Sequence, residues 1–207
     1  MKPAIQLDEA YWRGRYTANQ TGWDTGAITP PLREYFDQLG AADSRRILVP
    51  GAGRAYEAQY LHEKGFSEVF VADVAPEALQ ALHQRVPDFP AAHLLHQDFF
   101  ALQSAPPFDL LVEQTFFCAL SPMLRAAYAQ QCAHLLSPGG TLAGLLFETD
   151  FGESSEPPFG GTRPEYRAYF EPYFDFVHFD TAHNSLRPRQ GRELFICLRK
   201  KDSIALL

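Results

Sequence analysis

The feature that most constrains the fold is a short apolar run that ends in a glycine turn and continues into a helical stretch. The run covers residues 47–49, the turn is Gly51-Ala52-Gly53, and the helical stretch covers residues 55–64. A buried strand, a tight turn and a helix in this order bring backbone close to a ligand. Glycine is required there because a Cβ would block the turn or the ligand. The segment predicts one half of a nucleoside-binding crevice.

An acidic residue follows at the spacing that such a crevice needs. Asp73 lies about twenty residues beyond the turn, at the end of a second apolar run over residues 69–72. A carboxylate at this place accepts hydrogen bonds from both ribose hydroxyls of a bound adenosine. The turn and Asp73 together therefore indicate a nucleoside-containing cofactor.

Strands and helices alternate along the rest of the chain. The predicted strands cover residues 46–49, 68–73, 91–96, 108–112 and 141–147, with a turn at 137–140 and two closing strands at 175–181 and 192–198. This alternation predicts an α/β fold with a doubly wound, mostly parallel sheet, closed at one edge by an antiparallel hairpin. Asp73, Asp98 and Glu113 each end a strand, so we expect them to meet at one edge of the sheet.

Composition narrows the class of protein. The chain has 207 residues, 18 basic and 25 acidic side chains, and a net charge of −7. This balance, without any basic run, argues against a nucleic-acid-coating surface. No signal peptide and no apolar stretch long enough for a bilayer is recognised. Three scattered cysteines fit a reducing cytoplasm. We expect one domain, residues 1–207, that acts on a small molecule as a monomer or weak homodimer.

The glycine turn favours S-adenosylmethionine (SAM) over a dinucleotide. Tyr56 stands where a pyrophosphate-binding turn has its third glycine. SAM has no phosphate, and its adenine needs an apolar slot with one acceptor, which Asp98 beside Phe99 would supply. Its sulfonium is attracted to aromatic faces such as those of Trp12 and Trp23. A nicotinamide oxidoreductase and a non-catalytic SAM-binding protein remain as alternatives.

Several segments carry a family resemblance. They are YWRGRY at residues 11–16, GWD at 22–24, VPGAG at 49–53, EQTFFCAL at 113–120, PPFGG at 157–161 and PRQGRE at 188–193. In order and spacing, the chain resembles the thiopurine S-methyltransferase family, above all its bacterial members and the plant-type thiol and halide methyltransferases. The resemblance implies a class I SAM-dependent methyltransferase with a seven-stranded sheet that contains one antiparallel strand.

The resemblance also implies roles for individual residues. An N-terminal segment, residues 1–40, would cover the cofactor bound to a Rossmann-like core at 45–200. The implied cofactor-binding residues are Trp12, Tyr16, Trp23, Pro50, Gly51, Gly53, Asp73, Val74, Asp98, Phe99 and Glu113. Among them, Asp73 would bind the ribose, Asp98 and Phe99 the adenine, and Glu113 the sulfonium and methionine end. Vertebrate drug-methylating members carry an arginine that faces the purine at the position of Gln114, which argues against thiopurines as substrates.

Methyl transfer from a sulfonium to a soft anion is an in-line displacement that needs alignment and a dry site rather than a covalent nucleophile. We therefore expect catalytic roles for Glu113, Phe116 and Phe117, with Glu113 orienting the methionine ammonium or taking a proton from a thiol. A lid at residues 148–161, carrying Phe151 and Phe159, would complete the dry wall. A small thiol is the favoured acceptor, and halide, selenium and tellurium species remain open.

Two further residue types receive structural interpretations. Cys118 is interpreted as a small apolar filler because direct transfer needs no thiol nucleophile. His93 and His96 are three residues apart in a predicted strand, which places them on opposite faces and makes a poor metal site. We expect no metal requirement.

Overall fold

The computed structural model describes residues 5–152 and 154–202, and its centre is one seven-stranded sheet. The strands are β1 (Ile47–Pro50), β2 (Val69–Asp73), β3 (Leu94–His96), β4 (Phe108–Gln114), β5 (Leu136–Phe147), β6 (Phe174–Thr181) and β7 (Glu193–Lys200). Their order is β3-β2-β1-β4-β5-β7-β6, and only β7 runs against its neighbours. The predicted mostly parallel sheet with one antiparallel strand is confirmed, and β6 and β7 form the predicted hairpin at the edge.

The described residues form six α-helices. They are α1 (Glu9–Thr17), α2 (Pro30–Asp37), α3 (Tyr56–Glu63), α4 (Pro76–Arg85), α5 (Arg125–Leu135) and α6 (Arg163–Phe170). Five of them, α2 to α6, pack on the two faces of the sheet. Side chains of α5 and α6 form one apolar core with the sheet, and those of α2, α3 and α4 form the other. Alternate residues of β1 feed the two cores, with Leu48 in the first and Ile47 and Val49 in the second. The sheet is therefore doubly wound, as the alternation of strands and helices along the chain predicts.

Two predicted boundaries are wrong. Residues 91–93 form a 3₁₀ turn, and the strand predicted over 91–96 is only Leu94–His96. The turn predicted at 137–140 is part of β5, where the register to β4 jumps between Phe108 and Leu110. Gly139 has φ +70°, so the chain bulges locally and returns to the same strand instead of leaving the sheet.

The carboxyl ends of the parallel strands share one edge of the sheet. Gly51 follows β1, Asp73 ends β2, Asp98 follows β3, and Gln114 ends β4. In doubly wound sheets, ligands bind in the crevice outside this edge. No helix among the described residues is long and apolar enough to cross a membrane.

Candidate functional site

The glycine turn after β1 is a left-handed segment that packs directly against aromatic rings. Gly51 has φ +54° and Gly53 φ +57°. A Cβ on Gly51 would overlap the ring of Phe116, and a Cβ on Gly53 would lie 3.4 Å from Nε1 of Trp23. Both glycines are favoured by conformation, because an L side chain at positive φ is strained, and Gly51 is also required by space, because its Cβ would displace the ring of Phe116. The turn therefore presents backbone atoms, without bulky side chains, to a ligand.

Asp73 lies next to this glycine turn. Its side chain is 8% exposed, and its carboxylate accepts the N–H of Gly53 at 3.2 Å and the N–H of Ala75 at 2.8 Å. Burial raises the pKa of Asp73 to about 6, and these N–H groups oppose the rise. Each oxygen accepts one bond and keeps a further lone pair, so the carboxylate is still able to accept ribose hydroxyls.

Three N-terminal rings lie over the turn. Trp23 packs edge-to-face against Trp12 and Tyr16, with ring centroids 5.6 and 5.7 Å apart. Tyr16 lies next to Gly53, and burial raises its pKa well above the usual range. Sequence reasoning placed these three residues near the cofactor, and the structure brings them together above Gly53. We call Trp12, Tyr16 and Trp23 the ring cluster.

Polar contacts fasten the ring cluster to the turn. Asp24 forms an ion pair with Arg54 at 3.1 Å and accepts the hydroxyl of Tyr56, also at 3.1 Å. On the other side, the guanidinium of Arg189 donates to the carbonyl of Trp23 at 3.0 Å. Sequence analysis assigned no role to these contacts. The GWD motif at residues 22–24 could have indicated them, because Asp24 follows Trp23 directly and the basic residue Arg54 follows the glycine turn.

The residues that were predicted to bind adenine lie at the same edge of the sheet but differ in their exposure. Phe99 is buried and packs against Phe116 at 5.5 Å. Asp98 is exposed, and its carboxylate accepts the N–H of Phe100 at 3.0 Å. The carbonyl of Val74 lies 3.0 Å from Nε2 of His96. Pro50, which was also predicted to bind the cofactor, is buried at the end of β1.

Glu113 does not lie where the sequence suggested. It is 0% exposed and is absent from the side chains that line the cleft. Its carboxylate accepts the N–H of Phe117 at 3.0 Å and the hydroxyl of Tyr128 in α5. Burial raises its pKa to about 7, against the effect of these hydrogen bonds. The Glu113 carboxylate is therefore held by contacts inside the protein, and its contact with a ligand stays a prediction.

The other residues after β4 divide between cleft and core. Thr115 lines the cleft with φ +61°, a strained conformation for a β-branched residue. Phe116 covers Gly51, as described above. Phe117 is 1% exposed and packs against Tyr128 and Tyr166 at 5.2 Å, so the prediction that Phe117 faces the reacting groups disagrees with its core position.

The predicted lid is attached to the loop after β4. The N–H of Phe159 donates to the carbonyl of Cys118 at 2.7 Å. Arg125, whose side chain is 2% exposed, donates to the carbonyls of Phe159 and Gly160 at 3.2 and 2.8 Å. Sequence analysis did not identify Arg125. The Cys118 thiol is buried, and burial raises its pKa far above the usual range, which agrees with a filler and not with a nucleophile.

The arrangement suits the binding of a nucleoside. Within residues 5–152 and 154–202, no group of three or more His, Cys, Asp or Glu side chains is placed to hold a metal ion. Bare backbone at Gly53, a carboxylate at the end of β2 and aromatic faces above them fit a molecule with a ribose and a soft positive charge.

Comparisons with known proteins agree with this chemistry. A sequence model of the family described as thiopurine S-methyltransferase (TPMT) matches residues 7–202. The chain is 31% identical to probable thiol methyltransferase 2 of Arabidopsis thaliana over 88% of its own length and 81% of the relative. It is 28% identical to thiocyanate methyltransferase 1 of Brassica oleracea, covering 90% of this chain and 83% of that protein.

A solved structure shows the same fold. The 1,6-didemethyltoxoflavin-N1-methyltransferase of Burkholderia thailandensis, solved with bound 1,6-didemethyltoxoflavin and S-adenosylhomocysteine, superposes with a TM-score of 0.75 at 22% identity. The match covers 94% of this chain and 87% of that one. Matched over nearly its whole length, the chain belongs to the thiopurine S-methyltransferase family and is a SAM-dependent methyltransferase.

Proposed function

We propose that this enzyme transfers a methyl group from SAM to a small thiol. The observation that carries the proposal is the end of the cleft beyond β4, where Gln114 and Thr115 line the wall and Phe116 lies behind them. None of these side chains carries a charge that would recognise a large polar acceptor. An uncharged wall backed by an aromatic ring suits a soft nucleophile that loses its water when it binds.

The residues of the cleft fit the cofactor, and we propose the following roles. Asp73 accepts the ribose hydroxyls, with Val74 beside it, and Asp98 and Phe99 border the adenine. Pro50, Gly51 and Gly53 line the path of the methionine arm. The ring cluster faces the sulfonium, which aromatic rings attract by about 0.5–2 kcal/mol. When bound, SAM supplies an electrophilic methyl group and a neutral thioether leaving group.

The chain itself contributes alignment and exclusion of water. The lid, fixed by Arg125 and by the Phe159–Cys118 hydrogen bond, closes the side next to the loop after β4. Alignment of donor and acceptor alone is worth several kcal/mol. The attacking thiol is expected to arrive as its anion, since soft thiols ionise readily, so no dedicated base is required.

We propose that Glu113 acts as a positioning residue. Its carboxylate holds the N–H of Phe117, two residues beyond the strained Thr115, and so fixes the turn that presents Phe116 to Gly51. The Glu113→Gln change keeps the shape of the side chain and weakens its hydrogen bond to the N–H of Phe117. It is expected to lower the turnover number more than it changes the affinity for S-adenosylhomocysteine.

The test is an acceptor screen with methyl-labelled SAM, followed by S-adenosylhomocysteine release. Hydrogen sulfide and methanethiol are expected to be methylated, and thiopurines poorly. Asp73→Asn is the matched negative control, since it keeps the size of the side chain and removes its charge. Labelled product on thiocyanate or halide, but on no thiol, would move the assignment to those acceptors. Tight S-adenosylhomocysteine binding without turnover on any acceptor would indicate a non-catalytic protein.

We further propose a cytoplasmic enzyme that works as a monomer or weak homodimer. All three cysteines, Cys118, Cys132 and Cys197, are free thiols, which supports a reducing compartment. Light scattering behind a sizing column tests the oligomeric state, and a stable higher oligomer contradicts this part of the proposal.

A further inference from the structure

A carboxylate that the proposed mechanism leaves unused lies in the first turn of α3. Glu57, Ala58 and Leu61 form the buried face of this helix. Glu57 is 4% exposed. Glutamate is almost never buried to this extent unless it is paired, because removing a carboxylate from water is costly. A carboxylate at this position is therefore expected to have a hydrogen-bonding or charged partner.

No such partner is found within the part of the chain that the structure describes. The carboxylate forms no hydrogen bond or ion pair with another of these residues, and its close donor is its own backbone N–H. Burial raises the pKa of Glu57 to about 7, and the positive charges of Arg189 and Arg85 oppose this only in part. Arg189 donates to the carbonyl of Trp23, and Arg85 donates to the carbonyl of Arg54.

Glu57 lines the cleft together with the glycine turn, Gln114 and Thr115. The other carboxylates near the edge have protein partners. Asp73 holds two backbone N–H groups, and Glu113 holds a backbone N–H and a tyrosine hydroxyl. Glu57 is thus a cleft carboxylate with capacity left for a ligand.

The sheet order indicates which part of the cofactor reaches it. Asp73 ends β2 and marks the ribose, whereas Gln114 ends β4, and β1 with its glycine turn lies between them. The methionine arm therefore runs from Asp73 across the turn toward the end of β4, and Glu57 lines this part of the cleft together with Gln114 and Thr115. This arm carries a primary ammonium group.

We propose that Glu57 binds the α-ammonium group of the methionine arm of SAM. The inference deepens the proposed function and rests on it for the place of the ribose. A charge-assisted hydrogen bond between ammonium and carboxylate compensates for the burial of both groups. It also explains why a carboxylate without a protein partner occupies the buried face of α3.

The test is a cycle of two changes, one in the protein and one in the ligand. The protein change is Glu57→Gln. The ligand change replaces S-adenosylhomocysteine by its analogue without the α-amino group, which keeps the adenosine, the thioether and the carboxylate. Dissociation constants are measured by titration calorimetry at pH 8. Glu63→Gln, an exposed glutamate on the same helix, is the matched control.

Each change alone is expected to weaken binding about 10- to 100-fold, as for a hydrogen bond between charged groups. The two together are expected to be no worse than one, because both remove the same contact. Glu63→Gln changes neither affinity. Additive losses, or equal weakening of both ligands by Glu57→Gln, overturn the proposal. Unchanged affinity of Glu57→Gln for S-adenosylhomocysteine also overturns it. Since no methyl acceptor is present, failure of thiol transfer is a separate result.

Discussion

Replacement of Glu57 by glutamine is expected to stabilise the unliganded protein above pH 7 and to have a much smaller effect at pH 5. Burial raises the pKa of the Glu57 carboxyl from its ordinary 4.5 to about 7. Each pKa unit corresponds to about 1.36 kcal/mol, so ionisation costs the folded state about 3 kcal/mol. The cost is absent below pH 4.5 and grows up to pH 7, because the unfolded chain releases its proton first.

Glutamine has the shape of the neutral carboxylic acid, so the two proteins differ mainly by this cost. For a chain of this length, about 3 kcal/mol corresponds to roughly 6–12 °C in Tm at pH 8.5, as an upper bound. Thermal unfolding is followed by calorimetry at pH 5 and pH 8.5 without ligand. Glu63→Gln serves again as control and shows no such pH-dependent gain. A lower Tm for Glu57→Gln at both pH values would refute the reasoning, since it means that the carboxylate has a stabilising partner.

Three other outcomes are expected. Gly51→Ala is expected to lose about 2–4 kcal/mol of stability, because the added methyl group overlaps Phe116 and the backbone has a positive φ. Gly14→Ala is the control and is expected to be neutral or stabilising, because the space around its Cβ is open. Denaturant unfolding compares the stability of the two variants. Arg125→Met releases the carbonyls of Phe159 and Gly160 and lowers kcat/KM for the acceptor about tenfold, with S-adenosylhomocysteine affinity within about twofold in calorimetry. EDTA leaves the transfer rate unchanged, since a sulfonium donor and a thiolate need no Lewis acid.

Each of these expectations has a contradicting result. Equal stability of the Gly51 and Gly14 variants contradicts the close contact with Phe116. A parallel loss of cofactor affinity in Arg125→Met makes that arginine a general structural residue instead of a support for the lid. Loss of activity in EDTA, restored by zinc, contradicts the absence of a metal step.

The alternation of strands and helices and the edge with the glycine turn and Asp73 could be predicted because they follow from local patterns. The apolar run before Gly51 and the acid at Asp73 have fixed places in a parallel sheet, and both are found there. The turn predicted at residues 137–140 failed for a physical reason. Glycine and proline mark a break in the ladder, but a bulge between two paired segments has the same composition as a loop.

Side-chain direction after β4 could not be predicted. Phe116 and Phe117 are neighbours of the same type, yet one covers Gly51 and the other enters the core against Tyr128. The separation depends on the strained Thr115, whose φ no pattern reveals. Glu57 was recognisable in principle, because helical spacing places it on the apolar face with Leu61.

The fastening of the ring cluster has a consequence for the speed of the catalytic cycle. If spent cofactor leaves by displacement of the ring cluster, the Asp24–Arg54 ion pair has to separate first, and both side chains are partly exposed to solvent. Dissolved ions screen such a pair, with a Debye length of about 8 Å at physiological ionic strength. If product departure limits the rate, turnover is therefore expected to quicken as salt is added, even though the methyl transfer step itself involves neither residue.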